Sequence, residues 1–322
     1  MVDVYGTLGP ACASADTLEE MLREGMTGVR LNLSHVTLTE AAPMIAALRE
    51  AGERFGAQPK LLIDMQGPEL RVKALPEPLE LREGAEVSLS FVPEPIRRMI
   101  EPSQEILLDD GKLLLRAADR DRAKVLRGGL LRSRKSVALP GLELQLPPMT
   151  EADRRNLALA PSFGVTGVMQ PFVRSREDLR ALRDTLDESG GEAIRTFAKI
   201  ENREGVARLD ELLPAADEIV VARGDLGNSG PLWELPALQK RIAAACRSAK
   251  KPFMVVTQML ASMERSPVPT RAELSDVFNA VLDGASSVML TGETAVGLYP
   301  VEAIRFLTKT VREAENYVNN NM

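Results

Sequence analysis

Two charged residues close an apolar run: Lys199 stands near the end of RTFAKI (195–200), and Glu201 follows two positions later. If that run is extended, residues two apart share one face, so an ammonium and a carboxylate point to the same place. Asp225 follows a second apolar run, EIVVAR at 218–223. Glu201 and Asp225 together offer oxygen ligands for Mg2+ or Mn2+, hard cations that keep positions open for substrate. A lysine beside such a cation can stabilise a developing oxyanion or a transferring phosphoryl group. It can also form a Schiff base with a carbonyl, and the residues alone leave both open. The backbone amides after Arg223 open a short helix, a seat for a carboxylate. One histidine and two cysteines, Cys12 and Cys246, make a poor zinc site and no disulfide framework. Neither GxxxxGK(S/T) nor GxGxxG occurs, so a standard glycine loop for nucleotides is absent.

Those residues need a frame. Short apolar runs recur at 2–7, 28–33, 60–65, 165–170, 195–200, 218–223, 252–257 and 286–291. Helix-like segments separate them. SADTLEEMLREG (14–25) carries a Ser or Asp cap, apolar residues at helical spacing, and Gly25 as a stop. Segments 150–164 and 270–284 follow the same pattern, and 236–252 closes on basic residues and Pro252. Continuous apolar runs with helices between them read as buried parallel strands in βα units. About eight such units close a TIM (β/α)8 barrel, an α/β fold; a doubly wound sheet is the structural alternative. Residues 72–138 break the rhythm with strand-like pieces joined by DDG and GG turns. They read as a small all-β lid domain inserted after strand 3, leaving 1–71 and 139–322 for the barrel.

In a TIM barrel the chemistry sits at the C-terminal ends of the strands. Those ends carry Arg30, Asn32, Ser34 and His35; Asp64, Gly67, Glu69 and Arg71; Lys199 and Glu201; Arg223, Gly224 and Asp225; Thr257; and Thr291 with Glu293. The opposite ends read as free of such a cluster. The net charge of −6 argues against a general nucleic-acid binder, so any phosphate site is local. No run reaches the ~18 apolar residues of a membrane span, and the acid-rich start is unlike a signal peptide. The expectation is a soluble cytoplasmic protein with neither nucleic acid nor membrane as a partner.

At this point the chain resembles the pyruvate kinase family. IRTFAKIENREGV (194–206) is similar to that family's signature around its catalytic lysine. TLGPAC, RLNLSH, GPELR, LLDDG, VALPG, VARGDLG, TQMLASM, PTRAELSDVFNAVLDGA and MLTGETAVGLYPVEA are similar to further family blocks in the same order, over essentially the whole chain. The resemblance implies phosphoryl transfer from phosphoenolpyruvate to ADP, giving pyruvate and ATP. It implies that Lys199 stabilises the transferring phosphoryl and the enolate, with Arg30 and Thr257 also catalytic. Glu201 and Asp225 would hold Mg2+ or Mn2+. The amides of Gly224 and Asp225 and the Thr257 hydroxyl would hold the substrate carboxylate, Arg71 would face the phosphoryl group, and Thr291 and Glu293 would also bind substrate. Arg30, Asn32, His35 and Lys135 would meet the nucleotide. Asn32, Ser34, Asp64 and the carbonyl of Met65 would form a K+ site, and glutamate at the position of Glu69 accompanies potassium dependence in that family.

The chain departs from the family's pattern at Met65-Gln66 (Thr-Lys in the family), Ala138 (asparagine), Pro171 (serine) and in NSGPLWELP at 228–236. The resemblance also implies a shortened lid and no counterpart of the family's C-terminal regulatory domain. The corresponding expectations are hyperbolic dependence on phosphoenolpyruvate, no activation by sugar phosphates, and a twofold homodimer of barrels. Two alternatives stand beside the kinase: a metal-dependent lyase or decarboxylase working through a pyruvate enolate, and a non-catalytic phosphoenolpyruvate-binding paralogue.

Overall fold

Eight parallel strands close into a barrel in the computed structural model, which describes residues 1–109, 111–142 and 146–321, without the side chains of Pro95 and Asn321. In chain order the barrel strands are Asp3–Leu8, Gly28–Asn32, Lys60–Asp64, Gly167–Gln170, Arg195–Ile200, Glu218–Ala222, Phe253–Val256 and Ser287–Met289. Each pairs in parallel with its sequence neighbour, and the last returns to the first through Asp3↔Ser287 and Tyr5↔Met289. The TIM barrel expected from the apolar runs is the fold.

Helices between the strands form where local chemistry satisfies their ends. Ser14 accepts the Thr17 N–H at the start of Ala15–Arg23, whose Leu18, Met21 and Leu22 face the core. Thr150 and Thr270 form capping boxes with Asp153 and Glu273 on the helices Glu151–Leu159 and Arg271–Leu282.

The barrel interior is filled by side chains at alternate positions: Tyr5, Leu62, Met169, Phe197, Val220, Ala222, Met254, Val256 and Met289. Gly167 is small because Phe197 needs the space; a Cβ there would lie 2.5 Å from the Phe197 ring. Below this plug, the N-terminal ends of the strands are charged after all, contrary to the sequence reading. Lys60 Nζ bonds Asp3 at 2.6 Å and Arg195 lies 3.2 Å from Glu218, which also accepts the Ser287 hydroxyl at 2.5 Å. Each of these charges opens its strand, where it looks like a flanking loop residue. Two positions before an inward apolar residue, it faces inward too.

The chain divides into two compact units. One comprises residues 1–67, 147–223 and 236–322 and contains the barrel; the other comprises 68–146 and 224–235. The second unit carries a five-stranded antiparallel sheet, with strands such as Leu113–Ala117 and Arg122–Arg127, and a two-stranded pair, Leu79–Leu81 with Gly129–Leu131. Its own apolar core includes Leu89, Ile106, Leu108, Leu115 and Val125. The Asp-Asp-Gly turn expected at 109–111 includes Asp110, which lies outside the described residues. The strand rhythm gives no reason to detach 224–235. It joins this unit because it packs there: a Cβ on Gly111 would lie 2.7 Å from Asn228 Oδ1.

The aromatic ring of Phe197 is 1% exposed at the centre of the barrel plug. Phe197→Ala should lower the unfolding free energy by about 3–5 kcal/mol in urea titration. A loss under ~1 kcal/mol would mean that the plug collapses to fill the hole.

Candidate active site

Alternation along the strands sets the site. Leu62 points into the barrel, so Asp64, two residues on, points the same way; Phe197 does the same for Lys199. Arg30 lies in register with Leu62 on the neighbouring strand. Above the apolar plug these side chains form a continuous set of ion pairs. Arg30 Nε and Nη2 donate to Asp64 Oδ2 at 3.0 and 2.5 Å. Lys199 Nζ lies 3.2 Å from both Asp64 oxygens and 2.9 Å from Glu201 Oε1. Asp64 and Glu201 are buried, and the Arg30 and Lys199 side chains are only 12% and 13% exposed. Two cations meet two carboxylates, so this buried network is neutral, as buried charge must be.

Burial alone would push the Asp64 carboxyl up, but the Lys199 ammonium and the Arg30 guanidinium outweigh it and hold it below the ordinary carboxylate range. Burial works against the charge on Lys199 as well; Asp64 and Glu201 outweigh it and push the ammonium above the ordinary lysine range.

The other Glu201 oxygen is held by backbone. The Phe172 N–H donates to Oε2 at 2.8 Å. Phe172 has φ +52°, an uncommon conformation for a residue other than glycine. Pro171 beside it packs on Gly67, where a Cβ would come within 2.4 Å of the proline ring. Asp153, fully buried, accepts the Gln66 and Gly67 N–H groups at 2.8 and 3.1 Å as well as the Thr150 N–H and hydroxyl of its own helix cap. The Thr-Glu-Ala-Asp pattern signals the cap, but nothing local signals that the same carboxylate fixes the turn after the third strand.

The remaining residues fall at the same rim or in the second unit. Asn32 Oδ1 accepts the Ser34 N–H at 3.1 Å, closing a turn at the end of its strand, and His35 is exposed. Met65 is buried and its N–H donates to the Met169 carbonyl. Thr257 is half-buried with φ +80°, and Gln258 after it has φ +55°. Glu293 is 1% exposed; it accepts the Leu260 N–H at 3.0 Å, the Thr291 N–H at 2.7 Å and the Thr291 hydroxyl at 3.2 Å. In the second unit, Arg71 donates to Glu69 at 2.6 Å and to the Arg134 carbonyl at 2.8 Å. Lys135 Nζ lies 2.8 Å from Asp109 Oδ1. Gly224 and Asp225 sit on the short helix Arg223–Asn228. Within the barrel unit, then, Arg30, Asp64, Lys199 and Glu201 share one bonded network, whereas Asn32 with Ser34 and Thr291 with Glu293 form local pairs.

The donors in the network are all carboxylate oxygens. That suits a hard cation, and no group of three His, Cys, Asp or Glu side chains gathers among the described residues.

The family model for the pyruvate kinase barrel domain matches residues 1–304. The chain belongs to the pyruvate kinase family. It is 40% identical to the pyruvate kinase of Geobacillus stearothermophilus over 96% of its own length and 56% of that protein. It is 39% identical to the Aeropyrum pernix pyruvate kinase, covering 96% of this chain and 69% of the relative. Identity to the human pyruvate kinase PKLR is 40%, covering 97% of this chain and 59% of the relative. The chain thus spans little more than half the length of the first and third of these pyruvate kinases. Among the described residues no helix is long and apolar enough to cross a membrane.

The charge network carries a pH prediction. With its folded pKa depressed, Asp64 contributes fully above the unfolded carboxylate pKa of about 4 and loses its contribution as pH falls through the lower folded value. With its folded pKa raised, Lys199 contributes below the unfolded lysine pKa of about 10.4 and loses its contribution only as pH rises through the higher folded value. Asp64→Asn leaves two cations with one carboxylate. At pH 7 it should cost about 3–5 kcal/mol of unfolding free energy. The gap from wild type should close as pH falls below about 4; a gap that stays constant with pH would show that the Asp64 charge is not what holds the network.

Proposed function

We propose that the chain catalyses phosphoryl transfer from phosphoenolpyruvate to ADP, giving pyruvate and ATP. The observation that supports this most is the buried Lys199 ammonium, held charged at the end of a barrel strand inside a sequence matched by the pyruvate kinase barrel family. A fixed ammonium in a site away from water is suited to charge that develops during a reaction, because its orientation costs nothing at the moment of transfer. Phosphoryl transfer asks for positioning and charge neutralisation rather than covalent help.

In this reading Lys199 and Arg30 act on the phosphoryl charge, and Lys199 also stabilises the pyruvate enolate oxygen. Arg71 faces the phosphoryl group. Thr257 and the amides of Gly224 and Asp225 hold the substrate carboxylate, with Thr291 and Glu293 beside them. Arg30, Asn32, His35 and Lys135 meet the nucleotide. Glu201 and Asp225 hold Mg2+ or Mn2+, which when bound neutralises phosphate charge. Asn32, Ser34, Asp64 and the Met65 carbonyl hold K+. Residues 72–138 serve as a lid domain. A twofold pairing of barrels belongs to the same reading; the exposed Val268, Val296 and Leu298, on loops after the seventh and eighth strands, offer apolar surface for it. The cytoplasm is the compartment it implies, where the free, buried Cys12 and Cys246 stay reduced.

Purified protein given phosphoenolpyruvate, ADP, Mg2+ and K+ should release pyruvate and ATP in equal amounts. Pyruvate with inorganic phosphate in place of ATP would mean transfer to water, and phosphoenolpyruvate left unconverted would point instead to the lyase or to the non-catalytic paralogue. Lys199→Met should lower kcat by at least about 100-fold, or ~3 kcal/mol in the barrier, while Mn2+ binding followed by electron paramagnetic resonance stays within a few fold. Retained turnover would remove Lys199 from its assigned role.

The potassium assignment has a separate test. Replacing K+ by tetramethylammonium should depress the rate without changing the fold. Equal rates in both salts would remove Asn32, Ser34 and Asp64 from a cation site.

A further inference from the structure

Arg223 is the first residue after the sixth barrel strand, and its side chain does not point to solvent: it is 10% exposed. Its guanidinium reaches across to the turn that ends the seventh strand. Nε and Nη2 donate to the Thr257 carbonyl at 3.0 and 2.8 Å, and Nη2 also donates to the Gln258 carbonyl at 3.1 Å. The Met259 sulfur lies 3.1 Å from the same nitrogen. On its other side Nη1 donates to Asp276 Oδ1 at 2.8 Å, from the helix Arg271–Leu282.

The two carbonyls belong to the two residues of that turn with left-handed backbones, φ +80° at Thr257 and +55° at Gln258. A β-branched residue in that region is a genuine outlier. Such conformations persist only where the surroundings over-determine them. Here the surroundings are a planar, five-donor fork, the side chain best made to hold two adjacent carbonyls in fixed directions. Asp276 in turn fixes the fork.

We propose that Arg223 is a positioning residue: it clamps the 257–258 turn in its left-handed form and thereby sets where the Thr257 hydroxyl points. The kinetic consequence rests on the reading in which Thr257 holds the substrate carboxylate. The clamp itself does not.

The clamp is tested by a backbone rescue. Arg223→Gln should lower the melting temperature and reduce kcat/KM for phosphoenolpyruvate by about 10- to 100-fold, the scale of a small misplacement of a positioned group. Arg223→Lys, a point charge without the fork, should recover only part. Gln258 is exposed, and glycine takes a positive φ without steric cost. Gln258→Gly alone should therefore change little, because relieved strain offsets added freedom in the unfolded chain. Combined with Arg223→Gln it should restore much of both the melting temperature and kcat/KM.

Failure of Gln258→Gly to restore either quantity overturns the clamp, as does an Arg223→Gln protein that loses neither. Rescue of the melting temperature without rescue of kcat/KM overturns the positioning of Thr257. If the wild-type protein transfers no phosphoryl group, the functional reading fails, and the melting temperatures still decide the clamp. Should Arg223→Gln not fold, Asp276→Asn loosens the fork without removing it and takes the same rescue.

Discussion

An ammonium ion buried at the mouth of a barrel sets most of the constraints on this molecule. Lys199 is largely withdrawn from water, and its charge is tolerable only because Asp64 and Glu201 stand within hydrogen-bond distance. Asp64 then needs more than one cation's worth of company, since it also accepts two bonds from Arg30. Three strands must therefore end at compatible heights with compatible faces inward. The register supplies this: Asn32 lies opposite Asp64, Asp64 opposite Met169, and Met169 opposite Phe197, two residues before Lys199. A one-residue slip in any of these strands would turn its charged end away from the barrel axis and leave a partner unpaired.

Around that network the rim is held by buried carboxylates that bind backbone, Glu201 doing so with the oxygen that Lys199 does not use. Glu201 accepts the Phe172 N–H, Glu293 the N–H groups of Leu260 and Thr291, and Asp153 those of Gln66, Gly67 and Thr150. Each ties a loop from one strand end to the element beside it. Loops fixed in this way keep their conformations without help from a ligand, which is the condition for a preorganised site. The left-handed residues of the rim, Phe172, Thr257 and Gln258, lie in these same loops. Strain of this kind concentrates where structure serves a site.

The frame was legible because barrel strands are buried on both faces and so appear as continuous apolar runs. The sequence runs locate all eight strands within two residues at either end, and period-two alternation was enough to put Lys199 and Glu201 on one side. Besides the second role of Asp153, three features escaped. The charges at the N-terminal ends, Asp3, Lys60, Arg195 and Glu218, were hidden because a charge that opens a strand looks the same as one that ends a loop. The membership of 224–235 in the second unit depends on packing against a hairpin over a hundred residues away. The Arg223 contacts run from a side chain to carbonyls 34 and 35 residues on, and neither the sign of φ at Thr257 nor the direction of a carbonyl is written in residue type.

The two charged layers of the barrel differ in a way that bears on what each can do. At the N-terminal end Glu218 is met by one arginine and by the hydroxyls of Ser286 and Ser287, and burial pushes its carboxyl up despite them. The hydroxyls satisfy its lone pairs without supplying charge. At the C-terminal end Lys199 is shared between two carboxylates. On the proposed reading Glu201 would help to hold a divalent cation and Asp64 a monovalent one, and Asp64, within hydrogen-bond distance of Lys199, would remain the ammonium's carboxylate partner. A lysine with a single carboxylate partner would lose its compensation when the divalent cation binds. On that reading the second carboxylate is what would let Lys199 stay charged while Glu201 serves another cation.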